Sequence, residues 1–189
     1  MNSNYFLKQN AKKVIFLILI IPIIIQLFLI NIIQVIHNGS EIIYYLSFLL
    51  FGLLYLPYLY WLYSIVNFFF TNSNKFVELK LNNFKICLAI NVLVVFNFVL
   101  FVAYIFSFVF LKSGLPNTDI ILCFGFMQFV GVVSFVYTGY FVSKLITTIE
   151  LNRKIYFSDI VGNFIILSIP PLAIWIIHNK AKKLAERKN

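Results

Sequence analysis

Four long stretches of the chain contain no Asp, Glu, Lys or Arg, and this feature constrains the fold more than any other. They cover residues 14–36, 42–70, 86–111 and 120–143. A helix of about 20 apolar residues crosses the hydrocarbon core of a bilayer, which is about 30 Å thick. A charge at its centre costs about 2.5 to 3.5 kcal/mol. The sequence therefore predicts an all-α polytopic membrane helical bundle with four transmembrane helices.

Composition agrees with a membrane protein. Hydrophobic residues make up 62% of the chain and charged residues only 11%, whereas soluble domains carry about 25% charged residues. The first apolar run is too long for the core of a signal peptide, so we expect a retained first helix. Pro22 and Pro57 predict kinks within their helices. We treat residues 1–189 as a single membrane domain.

A fifth apolar segment, residues 160–178, contains the adjacent prolines Pro170 and Pro171. Proline lacks a backbone N–H and moves the preceding residue out of the helical region. A continuous helix through this structural break is therefore not expected. Ser158 is expected to cap a short helix that begins at Asp159.

Pro171 is expected to begin a second, basic helix that runs towards Arg187 and into the tail, residues 179–189. Together the two helices would form a re-entrant hairpin. The alternative is a kinked fifth span.

The distribution of Lys and Arg predicts the orientation. The N-terminus and the second and fourth connections carry three each, whereas the first connection carries none and the third carries one. The positive-inside rule then predicts a cytoplasmic N-terminus. A fifth span would place the five basic residues of the tail outside. A re-entrant segment, with both termini inside, avoids this conflict.

The outer half of the first run carries four polar side chains, and they fall within one arc of about 140° on a helical wheel. We expect this amide face to pack against other helices; the alternative is a lining for a polar solute pathway. Its members are Gln26, Asn31, Gln34 and His37.

The fourth run carries three glycines on one side of its predicted helix, and we call this the thin side. Gly125, Gln128, Gly131 and Gly139 share an arc of about 120°, which predicts a packing face for a neighbouring helix. Gln128 adds one polar group to this candidate polar intramembrane face. The Tyr and Trp residues in the second half of the second run predict an aromatic belt at the membrane interface.

The residues that could carry chemistry are few. His37 and His178 are predicted to lie at opposite membrane faces, so no paired metal or haem site is expected. Cys87 and Cys123 are predicted to lie about 30 Å apart, too far for a disulfide. No catalytic, nucleotide-binding or metal-binding motif is present, so we expect no cofactor and no enzyme activity.

Charged residues cluster after the fourth run. Glu150 and Asp159 are expected to form salt bridges at the elbow between two helices and to begin a helix. The alternative is a proton or cation relay with Lys144. The basic tail is expected to hold the C-terminus on anionic lipid rather than on nucleic acid.

Several segments resemble a family of uncharacterised small membrane proteins from Bacteroidetes. They are WLYSI at 61–65, LKLNNFKI at 79–86, and YFVSKLITTIELNRKIYFSDIVGNF followed by PLAIWII. The resemblance covers about residues 61–183 and rests on the FSDxxG elbow and a P-x-x-I-W segment. The chain departs from the family at Asn163, where Glu is expected, at Ala173, where Gly is expected, and at His178 and Asn179, where Gln-Pro is expected. The family has no assigned activity, so the resemblance supports the topology alone.

These features favour a non-catalytic subunit or interaction protein, including an immunity-type protein that shields a membrane target. Its expected partner is another membrane protein or a second copy of the chain. A small transporter or channel component for a polar solute or ion is the alternative, suggested by the amide face and the proline break.

Overall fold

The computed structural model of the protein describes residues 5–35, 41–71, 79–108 and 114–186. Within these ranges the regular structure is helical and no strand occurs, and four helical segments are long and apolar enough to cross a membrane. The predicted all-α membrane bundle is confirmed. The α-helices are α1 Tyr5–Lys8, α2 Ala11–Ile15, α3 Ile21–Val35, α4 Glu41–Leu53, α5 Leu56–Thr71, α6 Leu81–Ser107, α7 Thr118–Leu151, α8 Phe157–Leu167, α9 Pro170–Leu172 and α10 His178–Glu186.

The first candidate span, Ala11–Leu29, begins three residues before the predicted start. Asn10 caps it, because its side-chain oxygen accepts a hydrogen bond from the backbone N–H of Lys13 at 2.9 Å. A π-helical stretch, Phe16–Ile20, precedes Pro22. The wider turn accommodates a proline, which cannot donate to the preceding turn. The predicted kink thus takes the form of a local change in helical hydrogen bonding.

The second candidate span, Tyr45–Thr71, consists of the end of α4 and all of α5. A turn at residues 54–55 separates the two helices, and Pro57 lies in the first turn of α5, where a missing N–H costs nothing. The predicted aromatic belt is wrong for Tyr58 and Trp61. Both side chains are buried in the core, because α5 lies at the centre of the bundle.

Helices α6 and α7 form a long antiparallel pair. α7 has 34 residues, from the Asn117 cap to Asn152, whose positive φ of 49° ends the helix. It continues eight residues beyond the predicted end at 143. Residues 145–148 of the extra turns are buried, and α8 and α10 pack against this end of α7. At about 1.5 Å per residue, α7 is about 51 Å long.

The hydrophobic core lies at one end of the bundle. Helix α5 is enclosed there by the N-terminal segment, the last turns of α7 and the C-terminal helices. We call this end the terminal face and the opposite end, near Asn117, the distal face. The α3 helix beyond Pro22 lies outside this core and leaves much of its apolar surface exposed.

Candidate functional site

The C-terminal segment folds as a helical hairpin. α8 and the helix that begins at Pro170 are inclined at 108° to each other. Pro170 and Pro171 occupy the first two positions of α9, after the extended residue Ile169. The second helix thus begins one residue earlier than predicted.

Helix α8 also begins two residues earlier than predicted, at Phe157. The backbone N–H of Tyr156 donates to Oδ2 of Asp159 at 3.0 Å, so Asp159 takes the capping role that was predicted for Ser158. Asp159 is the third residue of α8, and its side chain accepts the N–H of the residue just before the helix.

Protein groups satisfy the backbone at the tip of the hairpin. The hydroxyl of Tyr58 on α5 donates to the carbonyl of Leu167 at 3.5 Å, and the N–H of Ala173 donates to the carbonyl of Ile169 at 2.8 Å. An unpaired carbonyl in the hydrocarbon core would cost several kcal/mol. The buried Tyr58 therefore allows non-helical backbone at this depth.

Both ends of the hairpin lie at the terminal face. Nε2 of His178 donates to the carbonyl of Gln9, at 3.1 Å, directly before the first span. Lys180 forms an ion pair with Glu150 near the end of α7. The hairpin therefore begins and ends at the same end of the bundle. This geometry matches the re-entrant arrangement rather than a fifth span.

His178 is fully buried between α5 and the N-terminal segment. Nε1 of Trp61 lies 3.4 Å from Nδ1 of His178, and an indole N–H can only donate. A carbonyl can only accept, so Nε2 must carry the proton that bonds to Gln9. Both contacts fit one species, the neutral imidazole protonated on Nε2. His37 lies outside the described residues.

A second set of polar side chains connects α7, α8 and α10, and we call it the polar junction. Nδ2 of Asn163 donates to Oγ1 of Thr147 at 2.7 Å, and Oδ1 of Asn163 accepts from Nζ of Lys180 at 3.1 Å. Lys180 also pairs with Glu150. One turn before Thr147, the hydroxyl of Ser143 is buried and has no hydrogen-bond partner among the described groups. The junction fixes three helices to one another.

The predicted inner-face charges do not form one cluster. Glu150 belongs to the polar junction, whereas Asp159 pairs with Arg153 at 3.2 Å across the elbow. The ammonium of Lys144 lies 5.7 Å from the centre of the Tyr140 ring, a cation–π contact. Asp159 thus forms the expected salt bridge at the elbow, whereas Glu150 pairs with Lys180 of α10.

The carboxyl of Asp159 lies outside the four candidate spans. Its pKa is lowered, chiefly because the carboxylate accepts the hydrogen bond from the N–H of Tyr156 and secondarily because Arg153 is close; partial burial opposes this shift. Asp159 is therefore stabilised in its charged form, which suits the positive end of the α8 dipole.

The predicted amide face is only partly described. Gln26 is half-buried, whereas Asn31 is exposed and donates from Nδ2 to the carbonyl of Leu27 in its own helix at 2.7 Å. Asn31 is thus not covered by another described helix of this chain, and packing of this face against a partner's helix stays a prediction. The side chain of Gln34 and all of His37 lie outside what the structure describes.

The thin side of α7 faces two different neighbours. A methyl group on Gly131 would overlap Val94 of α6, and one on Gly139 would lie 3.3 Å from Phe164 of α8. Gly125 has open space around it, so the predicted packing face is wrong at this position. The three glycines therefore do not share one neighbouring helix.

Two hydrogen bonds connect α6 and α7. They involve the predicted Gln128 and three residues that sequence patterns did not single out, Asn91, Asn97 and Thr138. Nδ2 of the buried Asn91 donates to Oγ1 of Thr138 at 2.9 Å, and Nε2 of Gln128 donates to Oδ1 of Asn97 at 2.8 Å. The sequence did show amide side chains in the third and fourth apolar runs, which could have predicted hydrogen bonds between these two helices. The register between the two helices was not available from the sequence.

A small cavity lies between α5, α7 and α8, beside the hairpin tip. Its volume is about 40 Å³, and its lining is mostly apolar. The hydroxyl of Thr138 at its wall already bonds to Asn91 and to the carbonyl of Ser134. The cavity has room for about one water molecule. Its lining residues are Tyr58, Leu62, Phe135, Val136, Thr138, Gly139, Phe164, Leu167 and Ser168.

Among the described residues, no three His, Cys, Asp or Glu side chains come together as a possible metal site. Cys87 and Cys123 are both free thiols. The arrangement therefore offers hydrogen bonds and ion pairs that hold helices together. No family model, curated protein or solved structure matches this chain.

Proposed function

We propose that this protein is a non-catalytic subunit or interaction protein of a bacterial inner membrane, in the manner of an immunity protein that shields a membrane target. One observation carries the proposal. Between residues 23 and 28, α3 exposes apolar side chains over about 200° of its circumference. Leu27 is 59% exposed and Phe28 is 69% exposed. Such a helix can accept a transmembrane helix of another protein, or of a second copy, along its length.

The polar side chains inside the bundle support the same proposal. Two hydrogen bonds cross the α6–α7 contact, from Asn91 to Thr138 and from Gln128 to Asn97. Interhelical hydrogen bonds of this kind contribute about 0.6 to 2 kcal/mol each. Because these groups hydrogen-bond to each other between helices, they favour a role in holding the bundle together over a role in binding a transported solute.

The basic residues support a cytoplasmic terminal face. Exposed lysines lie just before the first span and in its first turn. Others lie at the start of α6 and on α10. Under the positive-inside rule this end would be cytoplasmic. The tail would then contact anionic lipid, with a contribution of about 1 kcal/mol per basic residue. The exposed members are Lys8, Lys12, Lys13, Lys80, Lys85 and Lys183.

Site-specific photo-crosslinking tests the partner proposal. A photoreactive residue at position 27 should give one discrete adduct in intact cells. The matched control is position 133 on α7, where Val133 is 56% exposed on another span. An adduct of twice the protein mass would identify self-association, and a different mass would identify another membrane protein. Equal adducts at 27 and 133, or none at either, would contradict an interaction through α3.

The transporter alternative rests on the amide face of the first helix. Replacement of Gln26, Asn31 and Gln34 by Leu should alter assembly or stability in detergent and leave solute flux unchanged if the proposal is right. Lost flux in a variant that still elutes as a folded monodisperse protein would favour the small transporter or channel component.

A further inference from the structure

The connection between α7 and α8 exposes two aromatic side chains next to two basic ones. We call residues 152–157 the elbow. Tyr156 is 75% exposed and Phe157 is 71% exposed. Arg153 and Lys154 precede them, separated by Ile155, and are also exposed. Both residues lie outside the four candidate spans. Exposure of such large aromatic side chains to water is unfavourable, so it calls for an explanation.

The elbow has a defined conformation. The left-handed Asn152 ends α7, and its N–H donates to the carbonyl of Thr148 at 2.9 Å. Asp159 then accepts from the N–H of Tyr156 and pairs with Arg153. The guanidinium of Arg153 also donates to the carbonyl of Lys154 at 3.1 Å. These contacts fix the backbone that presents Tyr156 and Phe157.

The length of α7 places the elbow at a particular depth. Its 34 residues span about 51 Å, against about 30 Å for the hydrocarbon core and about 40 to 45 Å with both headgroup layers. A tilted α7 that is centred in the bilayer therefore ends in or just beyond a headgroup layer. The elbow follows at once, and the apolar outer side of α8, including Ile165, leads back into the hydrocarbon core.

We propose that the elbow is an interfacial anchor that binds anionic phospholipid headgroups, with Arg153 and Lys154 against phosphates and Tyr156 and Phe157 at the boundary with the acyl chains. Aromatic rings favour this layer, and basic residues beside it attract acidic lipids. The proposal concerns a lipid surface and does not depend on the partner of α3. The elbow would add a lipid contact to that of the basic tail, in which Lys180 is paired with Glu150.

The test uses the full-length protein in nanodiscs, with Tyr156→Trp as a fluorescent reporter and its emission measured as the gain over the parent protein. The quenchers are brominated phosphatidylglycerol and brominated phosphatidylcholine at equal mole fraction. We expect the anionic lipid to quench the reporter at least about twofold more strongly, since each of the two basic residues favours anionic lipid about fivefold. Higher salt should reduce the difference.

Variants locate the effect. Arg153→Gln with Lys154→Gln should bring the two quenching values together, whereas Arg153→Lys with Lys154→Arg keeps the charges and should preserve the difference. Lys85→Gln, an exposed lysine at the start of α6, is the matched control and should also preserve it. Circular dichroism and gel filtration verify folding of each variant.

Three results would overturn the proposal. The first is no quenching by either lipid, which would place the elbow in water or under a protein partner. The second is equal quenching by both lipids. The third is that Lys85→Gln loses the difference between the two lipids as fully as the elbow variant does.

Discussion

Gly131 of α7 lies so close to Val94 of α6 that a methyl group on the glycine would overlap Cγ1 of the valine. The close approach lets the flanking amides meet, since Gln128 bonds to Asn97 and Thr138 bonds to Asn91 on the two sides of this contact. Small residues at such crossings are what permits dense packing of membrane helices.

Gly131→Ala should therefore destabilise the protein by about 1 to 3 kcal/mol, the usual cost of overpacking. Gly125→Ala is the control, because nothing lies within 4 Å of the added methyl group. Thermal unfolding in detergent measures both. Val94→Ala should restore much of the loss in Gly131→Ala. Equal effects at the two glycines would contradict the described register of α6 and α7.

The polar junction predicts coupling between α7 and α8. Thr147→Val and Asn163→Ala should each destabilise the bundle, and a double-mutant cycle should give a coupling free energy of about 1 kcal/mol. Chemical unfolding in mixed micelles measures it. Ser168→Ala is a suitable control, since that hydroxyl bonds only within its own helix, to the carbonyl of Phe164. Simple additivity of the two substitutions would show that the Asn163–Thr147 bond contributes nothing.

The contact between His178 and Gln9 predicts that both termini lie on one side of the membrane. Single cysteines at Lys8 and Glu186, in a background without Cys87 and Cys123, should react alike with an impermeant thiol reagent in intact cells. Leu115, exposed at the distal face, should show the opposite accessibility. A Glu186 site that labels like Leu115 would instead establish a fifth span.

The prolines at the hairpin tip predict a topological effect. Pro170→Leu with Pro171→Leu permits a continuous helix and should favour spanning, while the basic tail opposes translocation. We expect mixed topology or poor accumulation, read by protease protection of a C-terminal epitope. Further neutralisation of Lys180, Lys182 and Lys183 should expose the tail outside. Wild-type topology and accumulation in the proline variant would mean that tertiary contacts alone impose the 108° bend.

Asp159 predicts a dependence of stability on pH. Its folded-state pKa lies below the ordinary value of 3.8, chiefly because of the hydrogen bond from Tyr156. A depressed pKa means that the stabilising contribution is present above 3.8 and is lost as the pH falls through the lower folded-state pKa. Asp159→Asn should lack this acid-sensitive component in unfolding measured from pH 6 to about pH 3. An unchanged pH profile in the variant would assign the acid sensitivity to another group.

The sequence by itself determined the class of fold and the number of spans. Charge-free runs of more than 20 residues can satisfy their backbone in lipid only as helices. It also determined the hairpin bend, because Pro170 and Pro171 act on their own and the preceding backbone. These are local effects, so no knowledge of distant neighbours was needed to predict them.

Only the tertiary structure decided which side chains meet. Trp61 fits an aromatic belt by its position in the chain, but it lies in the core and contacts His178, 117 residues away. The end of α7 and the pairing of Asn163 with Thr147 depend likewise on α8 folding back onto it. The physical reason is that periodicity gives the face of a helix but not its neighbour, whose identity depends on packing between distant segments.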